Sequence, residues 1–348
     1  MTVSIAKGLF PLVLSVFFCL LAHAGDFDGD TKEDPVLYSG GADFTIAFSS
    51  LDYDLQKISI PDNGSIAANA SLRPFVARPF GPKSASLVLL GSSSRVYALS
   101  YMHDAHSWRA DVLSVRDSLM RNSLSSEGRT ELFFADFDGN GFDEPGLASF
   151  VDTGAENYFL WRYFALGKAR SGALFYYAPH NSTRKWGARG DLPAPGDYNG
   201  DGLFDIAILR RGSWHVTTQK ERFPTGFPRN FTLKLGKAGD IPVQGFCDGD
   251  KITDLGVYRR RKGAGSLWVV LLSKTKRRLR FEFGLGSDIP QLADYTGDGL
   301  ADVAVFRKEK GGTKVIYRSS ESSYSNEEFI AMGDNTAAVF VSSGSKNY

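Results

Sequence analysis

The sequence predicts an all-β chain folded as a β-propeller of six blades, with seven as the alternative, closed by a strand from the C-terminus. Three observations carry this. An acidic loop recurs along the chain, a short apolar run follows each copy, and the last segment supplies a strand that the first unit lacks.

The fullest copy of the loop is Asp197-Tyr198-Asn199-Gly200-Asp201-Gly202-Leu203-Phe204-Asp205. Oxygen-bearing side chains stand at loop positions 1, 3, 5 and 9, and glycines at 4 and 6. Alternate carboxylates in a tight turn can face one hard cation, and Ca²⁺ takes about six to eight such oxygens, one of them here the carbonyl of position 7. The frame returns at Asp294 to Asp302, at Asp136 to Glu144 and at Asp26 to Asp34, and a worn copy runs from Phe246 to Asp254. One acidic turn is weak evidence; five in one frame make a repeat.

Loop starts at 26, 136, 197, 246 and 294 give intervals of 110, 61, 49 and 48 residues. The first interval is about double the others, so one unit between them lacks its acids. Arg78 to Ser86 aligns with Asp136 to Glu144 and keeps the turn, with Arg78, Phe80, Pro82 and Ser86 at the ligand positions. Six units of about 54 residues suit four strands and their turns. The expected blades are 25–72 with 335–342, 73–130, 131–190, 191–239, 240–287 and 288–334.

Within a unit, the run after the loop is apolar on both faces, as in Ile206-Ala207-Ile208-Leu209, so it should be covered on both sides. Its second residue is small (Gly146, Ala207, Gly256, Ala304), which suits crowding near a central axis where neighbouring backbones approach. The next strand carries Trp214 or Trp268, with Trp161 matching them, read as core between sheets. Asp191-Leu192-Pro193, Asp240-Ile241-Pro242 and Asp288-Ile289-Pro290 mark the first strand of the following unit. The ends close the ring. Gly25 begins at the first loop with no strand before it, while Asn335 to Val341 is a first strand with no acidic loop after it. A closed ring also removes exposed sheet edges.

Residues 1–24 read as a secretory signal peptide. Lys7 is the only charge, Gly8 to Ala22 is apolar but short for a membrane span, and Ala22-His23-Ala24 places the cut before Gly25. The expected location is therefore secreted or periplasmic. The remaining 324 residues carry 39 basic and 39 acidic side chains, a balance that argues against nucleic-acid binding. They retain a single cysteine, Cys247, so an intrachain disulfide is excluded and bound metal is the available cross-link.

The motif Asp-x-Asp-Gly-Asp/Asn-Gly-x-x-Asp followed by an apolar strand resembles the FG-GAP/VCBS type of repeat, over most of residues 25–341. That resemblance implies a calcium-binding propeller used for recognition or adhesion. It also implies four calcium sites. They are Asp197, Asn199, Asp201 and Asp205 with the carbonyl of Leu203; Asp294, Thr296, Asp298 and Asp302 with Leu300; Asp136, Asp138, Asn140 and Glu144 with Phe142; and Asp26, Asp28, Asp30 and Asp34 with Lys32. The sequence departs from the pattern in places. Thr296 offers a hydroxyl at position 3, and Thr31 stands where a left-handed glycine is expected. In the fifth unit Phe246 removes the position-1 ligand and Lys251 the glycine, leaving Asp248, Asp250 and Asp254 as an incomplete set. Sites of this class hold calcium at roughly 10⁻⁴ to 10⁻³ M, and each would add about 1.4 kcal/mol at tenfold excess over Kd.

Other features carry less. His103 and His106 read as a surface turn rather than a metal site. Nine basic residues between Arg259 and Arg280 read as solvated turns on opposite faces rather than one polyanion patch. Asn63, Asn69, Asn181 and Asn230 open glycosylation sequons. No nucleophile elbow, phosphate loop or His-Glu-x-x-His motif occurs, and the paired acids are committed to the loops. The expected function is a secreted, calcium-stabilised module that binds a protein or carbohydrate partner by adhesion or in a lectin-like manner, without catalysis. The alternative is a polysaccharide lyase or hydrolase with its site in the central channel.

Overall fold

The structure is a computed structural model describing residues 24–40, 43–59, 74–77, 85–90, 95–102, 107–115, 130–171, 173–179, 182–218, 230–263, 265–332, 339–340 and 342–343. Most of the signal segment, His103, His106, Asn63, Asn69 and Asn181 lie outside these residues. Six sheets, antiparallel apart from two added parallel pairings in the second, follow one another along the chain as the blades of a propeller. The blades begin with the strands Asp34–Gly40, Pro74–Ala77, Thr130–Ala135, Leu192–Pro193, Ile241–Gly245 and Ile289–Ala293; the first of these lacks its own full inner strand.

That inner edge is completed from both ends of the chain. Ala24–Gly25 pairs with one half of Asp34–Gly40 (Ala24 opposite Pro35), and Val339–Phe340 pairs with the other half (Phe340 opposite Leu37). The C-terminal strand thus closes the ring, sharing the place with two N-terminal residues. The tail then continues as Ser342–Ser343, parallel to Pro74–Ala77 of the second blade.

The third blade departs from the simple meander. After Asn157–Tyr163 the chain leaves as a hairpin, Ala165–Lys168 and Leu174–Tyr177. The second hairpin strand pairs in parallel with Ser107–Val115 of the second blade (Phe175 opposite Ser114). The chain returns to the third blade only for Thr183–Lys185.

The core lies between blades. Among the described residues, each buried cluster combines residues of two neighbours, for example Trp214 and Leu209 of the fourth blade with Val257 and Leu267 of the fifth. Trp161, Trp214 and Trp268 are buried in such clusters, as expected. Trp268 packs edge-on to Tyr258 and stacked on Phe281, and its indole N–H donates to the Phe283 carbonyl at 3.0 Å. A large ring with one satisfied polar atom is well suited to fill the wedge between diverging sheets. The small second residue of the central strand has a different cause from the one expected. A Cβ on Gly146 would lie 2.3 Å from the Phe133 ring, and one on Gly256 2.8 Å from the Val243 side chain. The crowding comes from the blade's own first strand rather than from neighbouring blades.

Candidate metal centres in the blade loops

Five loops share one hydrogen-bonding code. The acid at position 9 opens the strand after the loop, or in the case of Asp205 immediately precedes it, and is fully buried in every copy: Asp34, Glu144, Asp205, Asp254 and Asp302 are each 0% exposed. Each accepts the N–H of position 2: Phe27 at 2.9 Å, Phe137 at 3.1 Å, Tyr198 at 3.0 Å, Cys247 at 2.7 Å and Tyr295 at 2.8 Å. Three of these acids also accept a serine N–H from the turn two strands on: Ser49, Ser273 and Ser320. The oxygen side chain at position 5 accepts the N–H of position 7 in all five loops. Asp136, Asp197 and Asp294 at position 1 each take the N–H groups of positions 4 and 6. Short acidic side chains compete for local backbone donors in this way, which is why Asp and Asn dominate the motif.

Positions 4 and 6 are left-handed in every copy. Thr31 (φ 79°) and Lys251 (φ 63°) adopt this conformation where glycine is absent, so the loop imposes its shape on residues that resist it.

The loops also bond to one another. The N–H of position 8 donates to the position-1 carbonyl of the neighbouring loop: Phe204 to Asp136 at 3.3 Å, Thr253 to Asp197 at 2.7 Å, Ala301 to Phe246 at 2.7 Å and Glu33 to Asp294 at 2.8 Å. Ala85, which the alignment places at position 8 of the acid-free unit, donates to Asp26 at 2.7 Å. The bond from Glu33 to Asp294 joins the first blade to the sixth. The loops therefore form a hydrogen-bonded belt on one face of the propeller.

In two loops, acids gather closely enough to share an ion. Carboxylate oxygens of Asp26, Asp28 and Asp34 lie within 4.8 Å of one another, as do those of Asp136, Asp138 and Glu144. These are positions 1, 3 and 9. The loops at Asp197 and Asp294 carry Asn199 and Thr296 at position 3, so they lack the third acid of that set. Their position-5 acids keep the bond common to all five loops through one oxygen, and the second oxygen of Asp201 is buried without a hydrogen-bond partner, whereas Asp298 gains a second donor. Asp201 accepts from the Leu203 N–H, while Asp298 accepts from the Leu300 N–H and from the Ser320 hydroxyl. The sequence makes the Asp197 loop the fullest match, yet the acid triads assemble in the first and third loops. In the fifth loop, Asp254, Asp250 and Asp248 accept from Ser273 and Lys274.

Burial shapes the electrostatics. It pushes Asp34 up to about 8, with Asp28 adding, and Glu144 up to about 9, with Asp138 and Asp136 adding. It raises Asp254 to about 7, and Asp197 and Asp302 to about 6. Without a cation, the folded state holds protons on these groups that the unfolded state releases, so stability falls as pH rises from about 4 towards 8. We expect the melting temperature in EDTA to drop between about pH 5 and pH 8. Added calcium should raise it most at the upper end, where the ion competes with fewer protons. A calcium effect equal at both pH values would refute this.

A second repeated device went unseen in the sequence. Asp191, Asp240 and Asp288 are buried and bind Arg210, Arg259 and Arg307 respectively, each through two guanidinium nitrogens, the partners 19 residues apart in all three pairs. Each Asp also accepts the N–H three residues before it. The constant spacing was the available signal. Arg259 therefore does not belong to a loose basic cluster. Arg261 likewise bonds Glu282, and Arg278 reaches the Lys234 carbonyl.

No family model matches the chain, and no curated protein is similar to it at a significant level. Solved structures do match. One is a lectin of Agrocybe aegerita, described as recognising non-reducing terminal N-acetylglucosamine. It is 13% identical with a TM-score of 0.52, covering 87% of this chain and 91% of the lectin. The likeness is one of fold. The Photorhabdus luminescens Tc holotoxin pore matches at 14% identity and a TM-score of 0.52 over 84% of this chain, which corresponds to 13% of the toxin chain. Both are likenesses of overall fold across most of this chain. Among the described residues, no helix is long and apolar enough to cross a membrane.

Proposed function

We propose that this protein is an exported, calcium-stabilised propeller of the FG-GAP/VCBS kind that binds a carbohydrate or protein partner, carbohydrate being the favoured class. The observation that carries the metal half is the pair of triads at Asp26, Asp28, Asp34 and at Asp136, Asp138, Glu144. Their donors are hard carboxylate oxygens, which suit Ca²⁺ over softer ions. Bound calcium would supply charge neutralisation and a cross-link between turns; the protein's own residues supply the belt that holds those turns in place. The loops at Asp197 and Asp294 would bind more weakly, because each has one charge fewer than a fully acidic set of four and the missing acid is the one at position 3, which completes the triad in the other two loops.

The likeness in fold to an N-acetylglucosamine-recognising lectin supports a carbohydrate ligand. Fold alone never fixes function, so the test must be direct. A glycan and matrix-protein screen, run with calcium and with EDTA, should return a ligand whose capture weakens in EDTA. Absence of any ligand, together with turnover of a polysaccharide, would reverse the reading in favour of an enzyme.

A further inference from the structure

One register position separates the third blade from the other five. Four residues after loop position 9, the central strand faces a residue on the next strand, which in turn faces one on the outer strand. In the first blade this row is Tyr38, Phe44, Ile58; in the second it is Leu90, Val96, Leu113. The fourth, fifth and sixth blades read Leu209, Trp214, Leu233; Tyr258, Trp268, Phe281; and Phe306, Val315, Ile330. The outer residue is apolar in all five. In the third blade the row is Ala148, Trp161, Arg184.

The cause is topological. The hairpin Ala165–Lys168 and Leu174–Tyr177 has gone to the second blade, so Thr183–Lys185, three exposed residues, is all that covers this edge. Where the fifth blade stacks Phe281 on Trp268, the third leaves a pocket beside Trp161 that reaches across to the fourth blade. Its lining includes Phe137, Trp161, Tyr163, Arg162, Ser182 and Arg184. Phe137 and Tyr163 stack at 5.6 Å between ring centroids. No acid lines the pocket.

We propose that this cleft between the third and fourth blades binds a sugar bearing a carboxylate, a uronate, with the acid on Arg184 and the ring edge against the aromatic wall. The assignment rests on the binding reading above and names its ligand class. A guanidinium presents paired donors that match a carboxylate, and such bonds are stronger than neutral ones. Trp161 and Phe137 are almost fully buried, so the pyranose would rest at the mouth of the pocket, where Tyr163 is half-buried and offers the apolar contact. An arginine held at a position where every other blade has an apolar residue serves no packing purpose that leucine would not serve better.

The test is titration with a short oligogalacturonate, followed by tryptophan fluorescence, with its carboxyl-reduced counterpart and acetate as controls. The oligouronate should bind saturably, and both controls at least about tenfold more weakly, as expected for losing a charge-assisted bond or the ring contact. Arg184→Leu installs the residue type of the other blades and should melt no lower than the wild type while weakening binding about tenfold or more. Arg184→Gln, which keeps the polarity and removes the charge, should weaken it as well. Equal binding of the carboxyl-reduced sugar, unchanged binding by the Arg184 variants, or no binding of the oligouronate would each overturn the assignment. A screen ligand that Arg184→Leu still binds fully would refute this pocket while leaving the general binding function standing; a screen with no ligand would sink both.

Discussion

Replacing Asp302 with alanine should lower stability by about 3 kcal/mol even in EDTA, because it strands buried donors that cost roughly 1–3 kcal/mol each. The carboxylate accepts the N–H groups of Tyr295 at 2.8 Å, Thr296 at 3.1 Å and Ser320 at 2.8 Å. None of these bonds needs a metal. Asp302→Asn keeps an acceptor oxygen and should cost about 1 kcal/mol, near the net worth of one hydrogen bond. Denaturant unfolding in EDTA measures both. Asp28→Asn offers the contrast. It keeps the acceptor for Ser50 yet weakens the Asp26, Asp28, Asp34 set, so it should leave EDTA stability nearly unchanged and reduce the stabilisation by calcium. If Asp302→Ala were harmless in EDTA, the buried acids would be metal ligands first and turn-builders second, the reverse of our reading.

Replacing Asp288 with alanine should cost about 3 kcal/mol, the lower end of the range for breaking a buried ion pair. Asp288 is 1% exposed, whereas the Arg307 side chain retains 22%, so water relieves part of the stranded charge. The same carboxylate accepts the Leu285 N–H at 2.7 Å, and that donor is stranded too. The informative comparison is the double variant Asp288→Ala/Arg307→Met. Removing both charges should recover a sizeable part of the loss, since the single variant's cost is mostly an uncompensated guanidinium. Additive effects in that cycle would show that the pair is not coupled. Asp191 with Arg210 and Asp240 with Arg259 should behave in the same direction, the former more weakly because Arg210 is 42% exposed.

Much of the architecture was legible because it is written in local chemistry that repeats. The acidic loop advertises its turn through residues whose side chains bond their own backbone, so loop, strand start and unit length could be read together. The alignment of the acid-free unit, made without any acid to guide it, is supported by Ala85, which makes the inter-loop bond of a position-8 residue. The tryptophans announced the core because few other positions bury so much area.

The candidate sites were legible as loops but not as sites. Nothing in the order of residues says that position 5 turns towards its own backbone while position 3 joins positions 1 and 9. In the first blade a distant turn adds partners that the loop sequence does not contain, Ser49 on Asp30 and Ser50 on Asp28. The Asp–Arg pairs have no local signature either; their only trace in the sequence is a spacing of 19 residues repeated in three blades.

By itself, the sequence determined the repeat, the all-β class, the closing strand and the acids available to a cation, because these follow from side-chain chemistry within a single turn or strand. Only the tertiary structure decided which acids meet, how the loops link into a belt, and that one hairpin deserts the third blade and leaves Arg184 over Trp161. Those outcomes depend on which strands pair, and pairing is settled by packing between segments far apart in the chain.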